Sequence, residues 1–368
     1  MISSFHRLRS LCAIALLFIS ALTFACSGQR GGEGEGTGGA VRLQGAGATF
    51  PNPLYQKWLS EYGKLNSNVR IDYQSVGSGA GIRQIQEQTV DFGASDAPVK
   101  DDDLAKARGG QLLHIPTVLG AVVLTYNLKD VQQPLRFSPD VIADIFLGKI
   151  KTWDDARIKA DNPGVNLPAA PITVVHRTDG SGTTAVFTDY LSKVSPEWGE
   201  KIKSGVSVNW PTGVGAKGNE GVSGQVSQTP NTIGYVELAY AVQTKMPVAL
   251  IKNKSGNFVA PSLEAVTAAA AESIAATPED MRVSVTDAAG ANAYPIASYT
   301  YVLVYKDQKD AAKGKALVDF LWWGIHDGQS FTKDPQYPYA ALPAEIVSRA
   351  ERQLNSITSG GRSVRGAQ

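Results

Sequence analysis

The sequence predicts an α/β fold built on largely parallel sheets, and three observations carry that expectation. Short β-branched segments alternate with helical ones along the chain, with glycine-rich turns between them. The length, 368 residues, allows two domains of ordinary size. The hydrophobic fraction is 43%, with 37 Gly and 19 Pro, which suits a packed, turn-rich protein and excludes general disorder. No period of about 20–50 residues recurs, so this is not a repeat protein. A formal net charge of +1 argues against a nucleic-acid partner.

Residues 1–25 are read as an export signal, outside the fold. His6, Arg7 and Arg9 precede the apolar run LCAIALLFISALTFA (11–25), which is too short for a comfortable membrane span. The run ends at Ala25-Cys26-Ser27-Gly28, which resembles a bacterial lipobox, with Cys26 lipidated as the first mature residue. Leu22 stands one place early for that pattern and Thr23 takes its position; ordinary cleavage nearby is the alternative. The only cysteines are Cys12 and Cys26, so the mature chain has no intramolecular disulfide and relies on its core. Losing Arg7 and Arg9 with the signal takes the net charge from +1 to −1. Residues 26–40 read as a flexible tether, since nine of the fourteen residues in 27–40 are Gly, Ser or Thr.

The folded body begins at Val41. VRLQ (41–44) reads as a strand, GAGATFPN as a turn, and PLYQKWLSEYGKL as a helix with Leu54, Trp58 and Tyr62 on one face. VRIDYQSV (69–76) reads as a strand, GSGAG as a turn and IRQIQEQ as a helix; VDFGAS (90–95) is a short strand. The apolar LLHIPTVLGAVVLTYN (112–127) reads as central strands, and PDVIADIFLGKIKTW as a helix closed by Gly148. ITVVH (172–176) is a strand leading through HRTDGSGTT into the helix TAVFTDYLSKV; IGYVELAYA (233–241) carries a strand and a helix start. YPIASYTYVLVYKD (294–307) reads as one or two strands, and AKGKALVDFLWWGI and PAEIVSRAERQL as amphipathic helices.

Ligands of such sheets collect at the carboxyl ends of strands. Glycine-rich turns fall at three such points: 45–50, 77–81 and 180–184. Taken singly, each turn is explained by the backbone freedom of glycine. Two dinucleotide-like glycine patterns, beginning at Gly180 and Gly213, lack the expected context and are read as chance. No Gly-Lys-Ser/Thr ends any of these turns, which excludes a P-loop, and neither Ser78 nor Ser181 sits in a hydrolase elbow. His114, His176 and His326 are scattered and form no metal-type pair.

What remains is a set of donors. Thr49 with Phe50, Ser78, and Ser181-Gly182-Thr183 all fall at expected helix starts, where backbone N–H groups lack internal partners. Arg177 adds a planar fork suited to oxyanions. Asp179, two residues on, either holds that guanidinium or caps the following helix. Asp96 is the odd member, because a carboxylate in an anion site repels its guest unless the guest brings a proton. Phosphate does so near neutral pH and sulfate does not; the difference is on the order of 10³-fold or more in affinity.

GAGATFPNPLYQKW, YQSVGSGAGIRQI, VDFGASDAP, FLGKIKTWDD, HRTDGSGTTAVFTDYL, GAKGNEGV and IGYVELAYA, in that order, resemble the phosphate-binding proteins of bacterial ABC phosphate importers. The resemblance covers nearly the whole mature chain and implies a two-lobed periplasmic-binding-protein clamshell closing around one dehydrated phosphate. It implies a chain crossing near 118–122 and returning near 293–297, so that lobe one is 41–120 with 295–368 and lobe two is 121–294. It assigns ligand contacts to Thr49, Phe50 (backbone N–H), Ser78, Asp96 as proton acceptor, Arg177 held by Asp179, and Ser181, Gly182 and Thr183. No catalysis, cofactor or metal is expected. The expected partners are inorganic phosphate, the permease subunits and a membrane reached through the lipid, with the protein monomeric on the periplasmic or cell-surface side. A secreted phosphatase on the same cradle, or a receptor for another tetrahedral oxyanion, are the competing readings.

If Cys26 carries the anchor, Cys26→Ser moves the protein from the membrane fraction to the soluble one. Unchanged partitioning rules lipidation out.

Overall fold

A computed structural model describes residues 40–365. The signal, Cys26 and the tether up to residue 39 lie outside the described residues. The chain runs β1 (Val41–Gly47), α1 (Asn52–Leu65), β2 (Val69–Ser75), α2 (Ser78–Gln86), β3 (Phe92–Ser95), α3 (Asp101–Leu104), β4 (Leu112–Tyr126). It continues β5 (Arg136–Phe137), α4 (Pro139–Phe146), α5 (Ala156–Asp161), β6 (Thr173–Arg177), α6 (Gly182–Val194), α7 (Pro196–Lys201), β7 (Val214–Ala216), α8 (Gly218–Gln228). Next come β8 (Thr232–Glu237), α9 (Leu238–Gln243), β9 (Leu250–Lys252), β10 (Phe258–Val259), α10 (Leu263–Ser273), β11 (Ala297–Tyr305), α11 (Ala311–Ile325) and α12 (Ala344–Asn355).

Eight strands form one sheet in the order β2-β1-β3-β11-β4-β8-β6-β7. Pairing is parallel among β1, β2 and β3 and among β6, β7 and β8. The middle pairs, β3–β11, β11–β4 and β4–β8, are antiparallel. Each half is therefore mainly parallel, with one strand opposed.

The strand β4 joins the two halves. The apolar run expected to give central strands forms a single strand of fifteen residues, every one buried. Its first part, Leu112–Ala121, pairs with β11, and its last part, Val122–Tyr126, pairs with β8. Pro116 has no N–H to give a ladder. The register accommodates it by shifting between Thr300 and Tyr301, so that Thr117 bulges out. The Thr117 hydroxyl is then bonded to Tyr55 Oη at 2.7 Å.

Most sequence-expected elements form, and the differences have local causes. Helix α1 buries Leu54, Tyr55, Trp58 and Tyr62, and the Trp58 indole N–H donates to Gly328 O at 2.9 Å. Strand β1 runs three residues beyond VRLQ, because its glycines let the backbone pass close to Phe92 and Ala94. Helix α2 starts at Ser78 rather than after the glycines. Helix α4 ends at Phe146, ahead of Gly148 at φ +74°.

Gly120 is where β4 is approached most closely. A Cβ there would lie 2.6 Å from the Phe50 ring, so the ring occupies the space a side chain would need. Gly120→Ala is expected to lower stability by about 1–3 kcal/mol through overpacking. A urea midpoint equal to wild type refutes that packing.

Candidate anion-binding site

Four helix starts converge where the two halves of the sheet meet. From the first half come Thr49 and Phe50, ahead of α1, and Ser78, the first residue of α2. Asp96 follows the end of β3. From the second half come Arg177 at the end of β6, Gly182 and Thr183 opening α6, and Gly218 and Asn219 opening α8. Thr49, Ser78, Asp96, Arg177, Ser181 and Thr183 are each no more than 3% exposed.

The halves touch at this point. Gly79 N–H donates to Gly180 O at 2.8 Å. Gly182 lies so close to the opposite half that a Cβ on it would be 2.4 Å from both Asp96 Oδ2 and Ser78 Oγ. The structure therefore brings Ser78, Asp96 and Gly182 together from separate parts of the sequence.

Hydrogen bonds inside the cluster settle which atoms remain free. Arg177 is gripped from one side: its Nε donates to Asp179 Oδ1 at 2.8 Å and its Nη2 to Asp179 Oδ2 at 2.5 Å. Asp179 also accepts from Gly218 N–H at 3.0 Å. Ser181 Oγ, at 3.0 Å from Thr184 N–H, caps α6. Of the two roles open to Asp179, the structure shows the guanidinium grip. Burial alone pushes the Asp179 carboxyl up, but the Arg177 hydrogen bonds and charge outweigh it and hold it below the usual range. The guanidinium is buried and Asp179 part-buried, so losing the carboxylate leaves a buried charge unpaired, at a cost of about 3–5 kcal/mol.

Asn219 ties the two halves' hydroxyls together. Its Nδ2 donates to Thr49 Oγ1 at 2.8 Å and Thr183 Oγ1 at 3.2 Å, and its Oδ1 accepts from Glu237 N–H at 3.0 Å. Thr49 Oγ1 also accepts from Asn219 N–H at 3.3 Å and Thr183 Oγ1 from Arg177 Nη1 at 3.5 Å, so each hydroxyl accepts twice and keeps its own hydrogen to donate. The N–H groups of Gly182 and Thr183 precede the first helical bond of α6, from Ala185 N–H to Ser181 O. Among the described residues, nothing accepts from them.

Asp96 stands alone as an acceptor. Its Oδ1 accepts from the Thr300 hydroxyl at 2.8 Å, while its Oδ2 is buried without a partner. Burial pushes its carboxyl up to about 7, against the Thr300 hydrogen bond, the Arg177 charge and the Ser78 hydrogen bond. Of the sequence-expected site residues, only Asp96 also borders the neighbouring cavity of about 390 Å³, which lies among Pro98, Val186, Val206 and Val283.

The arrangement has known counterparts. A model of the PBP superfamily domain matches residues 33–322. The phosphate-binding protein PstS of Xylella fastidiosa (strain Temecula1) is 45% identical over 313 residues, covering 85% of this chain and 84% of the relative. The chain belongs to the phosphate-binding protein family of the PBP superfamily. The PstS of Methanocaldococcus jannaschii is 42% identical over 341 residues, 86% of each chain. A phosphate-binding protein structure from Stenotrophomonas maltophilia shares the two-lobed fold at a TM-score of 0.66 and 21% identity, covering 85% of this chain and 93% of that one.

Helix-start position and side-chain chemistry singled out Thr49, Phe50, Ser78, Asp96, Arg177, Asp179, Ser181, Gly182 and Thr183, the family resemblance assigned them to the ligand, and the structure gathers all of them. Asn219 and Gly218 were missed as contributors. Their signal was the glycine pattern from Gly213: as expected it follows no strand end, but it contains β7 and runs to the start of α8, which puts Gly218 and Asn219 just past a strand. His176 is half-buried and stacks on Trp210, with ring centroids 5.0 Å apart.

Gly182→Ala places a methyl group against Asp96 and Ser78. It is expected to weaken oxyanion binding at least about 100-fold, or about 2.7 kcal/mol. Wild-type affinity by calorimetry shows that the halves need not approach this closely.

Proposed function

We propose that the protein binds inorganic phosphate between its two lobes and delivers it to the permease of an ABC importer. One observation carries this: the unpartnered, buried Oδ2 of Asp96 in a cluster otherwise made of donors. An acceptor in that place suits a ligand that carries its own hydrogen. Phosphate contacts are assigned to Thr49, the Phe50 N–H, Ser78, Asp96, Arg177 held by Asp179, and Ser181, Gly182 and Thr183. The naming of the relatives as phosphate-binding proteins supports the same ligand.

Lobe one comprises 41–120 with 295–368, and lobe two 121–294. They move about the crossings near 118–122 and 293–297. The continuous passage of β4 from one half-sheet to the other, and the return at β11, support this division. Among the described residues no helix is long and apolar enough to cross a membrane. Membrane attachment is assigned to lipid on Cys26, on the lipobox-like end of the apolar run, with a monomeric receptor on the periplasmic or cell-surface face. The relatives are named for binding rather than turnover, which favours a receptor over a phosphatase. Multiple turnovers of an aryl phosphate reverse that choice.

The carboxyl raised to about 7 sets a pH signature. Below that pH Asp96 holds a proton and can donate to a fully ionised oxyanion; above it, the carboxylate repels one. Sulfate affinity is expected to fall about tenfold per unit as pH rises above 7, because the free carboxylate must take up one proton for the complex to form. Phosphate supplies that proton itself, so its affinity changes little from pH 7 to 8. In Asp96→Asn the sulfate slope disappears and the phosphate/sulfate gap narrows at least about tenfold, because the repulsive element is gone. Titration calorimetry with both anions decides; selectivity unchanged by the substitution removes the proton-reading role.

A further inference from the structure

The Phe50 carbonyl, one peptide on from the N–H assigned to the ligand, is held by a buried pair that the anion site does not contain. Tyr339 Oη lies 2.6 Å from Phe50 O and 3.0 Å from Glu237 Oε2. Glu237 closes β8 and caps α9, its Oε2 lying 2.7 Å from Ala239 N–H. Its Oε1 is buried without a partner, over Gly120 of the crossing strand, where a Cβ would come within 3.2 Å of it.

A phenol has one hydrogen, and here it faces two oxygens. The Phe50 carbonyl can only accept. If Tyr339 gave its hydrogen to Glu237, two bare oxygens would face each other at 2.6 Å. The arrangement is satisfied when Tyr339 donates to Phe50 O and accepts a hydrogen from Glu237. We infer that Glu237 stands in the closed protein as a neutral carboxylic acid and, through Tyr339, acts as a positioning residue that fixes the Phe50–Pro51 peptide and with it the backbone turn that presents the preceding N–H, that of Phe50, to the anion.

The surroundings agree. Glu237 is fully buried, and no described Lys, Arg or His lies within ion-pair reach of it. The groups facing it are Tyr339, Tyr240 of α9, the Asn219 amide of α8 and, across the site, the Asp96 carboxyl. Burial, with the Asp96 charge adding to it, holds its carboxyl well above the usual range. A second tyrosine makes the contrast: Tyr240 Oη lies 2.6 Å from Thr49 O and 3.0 Å from Glu220 Oε1. Tyr240 too has one hydrogen for two oxygens, but Glu220 is exposed, so water can supply the hydrogen that the second oxygen lacks. Neutrality also matters for function: an ionised Glu237 would add a further buried negative charge close to an anion site whose one cation is already paired with Asp179.

The inference rests on the phosphate reading for its ligand and is tested on the full chain by phosphate titration at pH 7. Glu237→Gln keeps the side chain neutral and hydrogen-bonding, so its dissociation constant should stay within about threefold of wild type. Glu237→Ala removes the hydrogen donor behind Tyr339 and should weaken binding about tenfold or more. If Glu237 is charged, Glu237→Gln instead binds phosphate at least about tenfold tighter, and the proposal fails. Wild-type affinity in Glu237→Ala overturns the positioning role.

Infrared spectroscopy separates this from the functional reading and needs no folded Glu237 variant. Asp96 and Glu237 are the buried carboxyls among the described residues. A protonated-carboxyl C=O band that persists in Asp96→Asn at neutral pH therefore belongs to Glu237; its absence there overturns the proposal. A wild-type protein that binds no phosphate refutes the phosphate reading, while the band still reports the state of Glu237.

Discussion

Asp96 places an acceptor where every other group donates, and the rest of the site is arranged around that contradiction. Amide hydrogens at the helix starts, the hydroxyls of Thr49 and Thr183, and the Arg177 fork all present hydrogen. The carboxyl oxygen opposite them has none to receive within the protein. A buried acceptor left unpaired costs about 1–3 kcal/mol. That cost is offset only by a guest that both accepts many hydrogen bonds and donates one. The helix starts attract oxyanions in general, and Asp96 narrows the class.

Such a site works only if its two sides meet with little tolerance, and the crossing strand makes that possible. Because β4 is one strand belonging to both half-sheets, each lobe's strand ends are aimed from a shared axis. Gly120 leaves room on that axis for the Phe50 ring, and Gly182 leaves room for Asp96 and Ser78 to come within contact distance. Small residues at these positions are thus a condition of closure.

Much of this was legible in the residues. The strand–turn–helix order followed from periodicity, and the glycine-rich turns marked three of the four helix starts at the site. The return of β11 to the first half-sheet did not follow from local pattern, because its pairing with β4 joins segments far apart in sequence. Reading 112–127 as central strands left open that one strand would serve both halves; alternation and apolar runs do not say which neighbour a strand takes. Asn219 was hidden for a related reason. An asparagine after a lysine and a glycine looks like a turn residue, and only the fold brings its amide between Thr49 and Thr183. Glu237 was hidden because nothing in GYVELAYA shows that its glutamate has no water.

The Arg177–Asp179 fork has a kinetic consequence. A guanidinium bound bidentately to a carboxylate is a short-range donor whose distant field is largely cancelled, and a formal net charge of +1 for the whole sequence leaves little overall positive excess to replace it. Anions are therefore not drawn in over many ångströms, as they are towards clefts lined with free cations. Encounter should proceed at nearly the same rate in dilute and salty media, since there is little attraction for counterions to screen. A receptor working outside the cytoplasm, where salinity follows the surroundings, would keep its capture rate as those surroundings change.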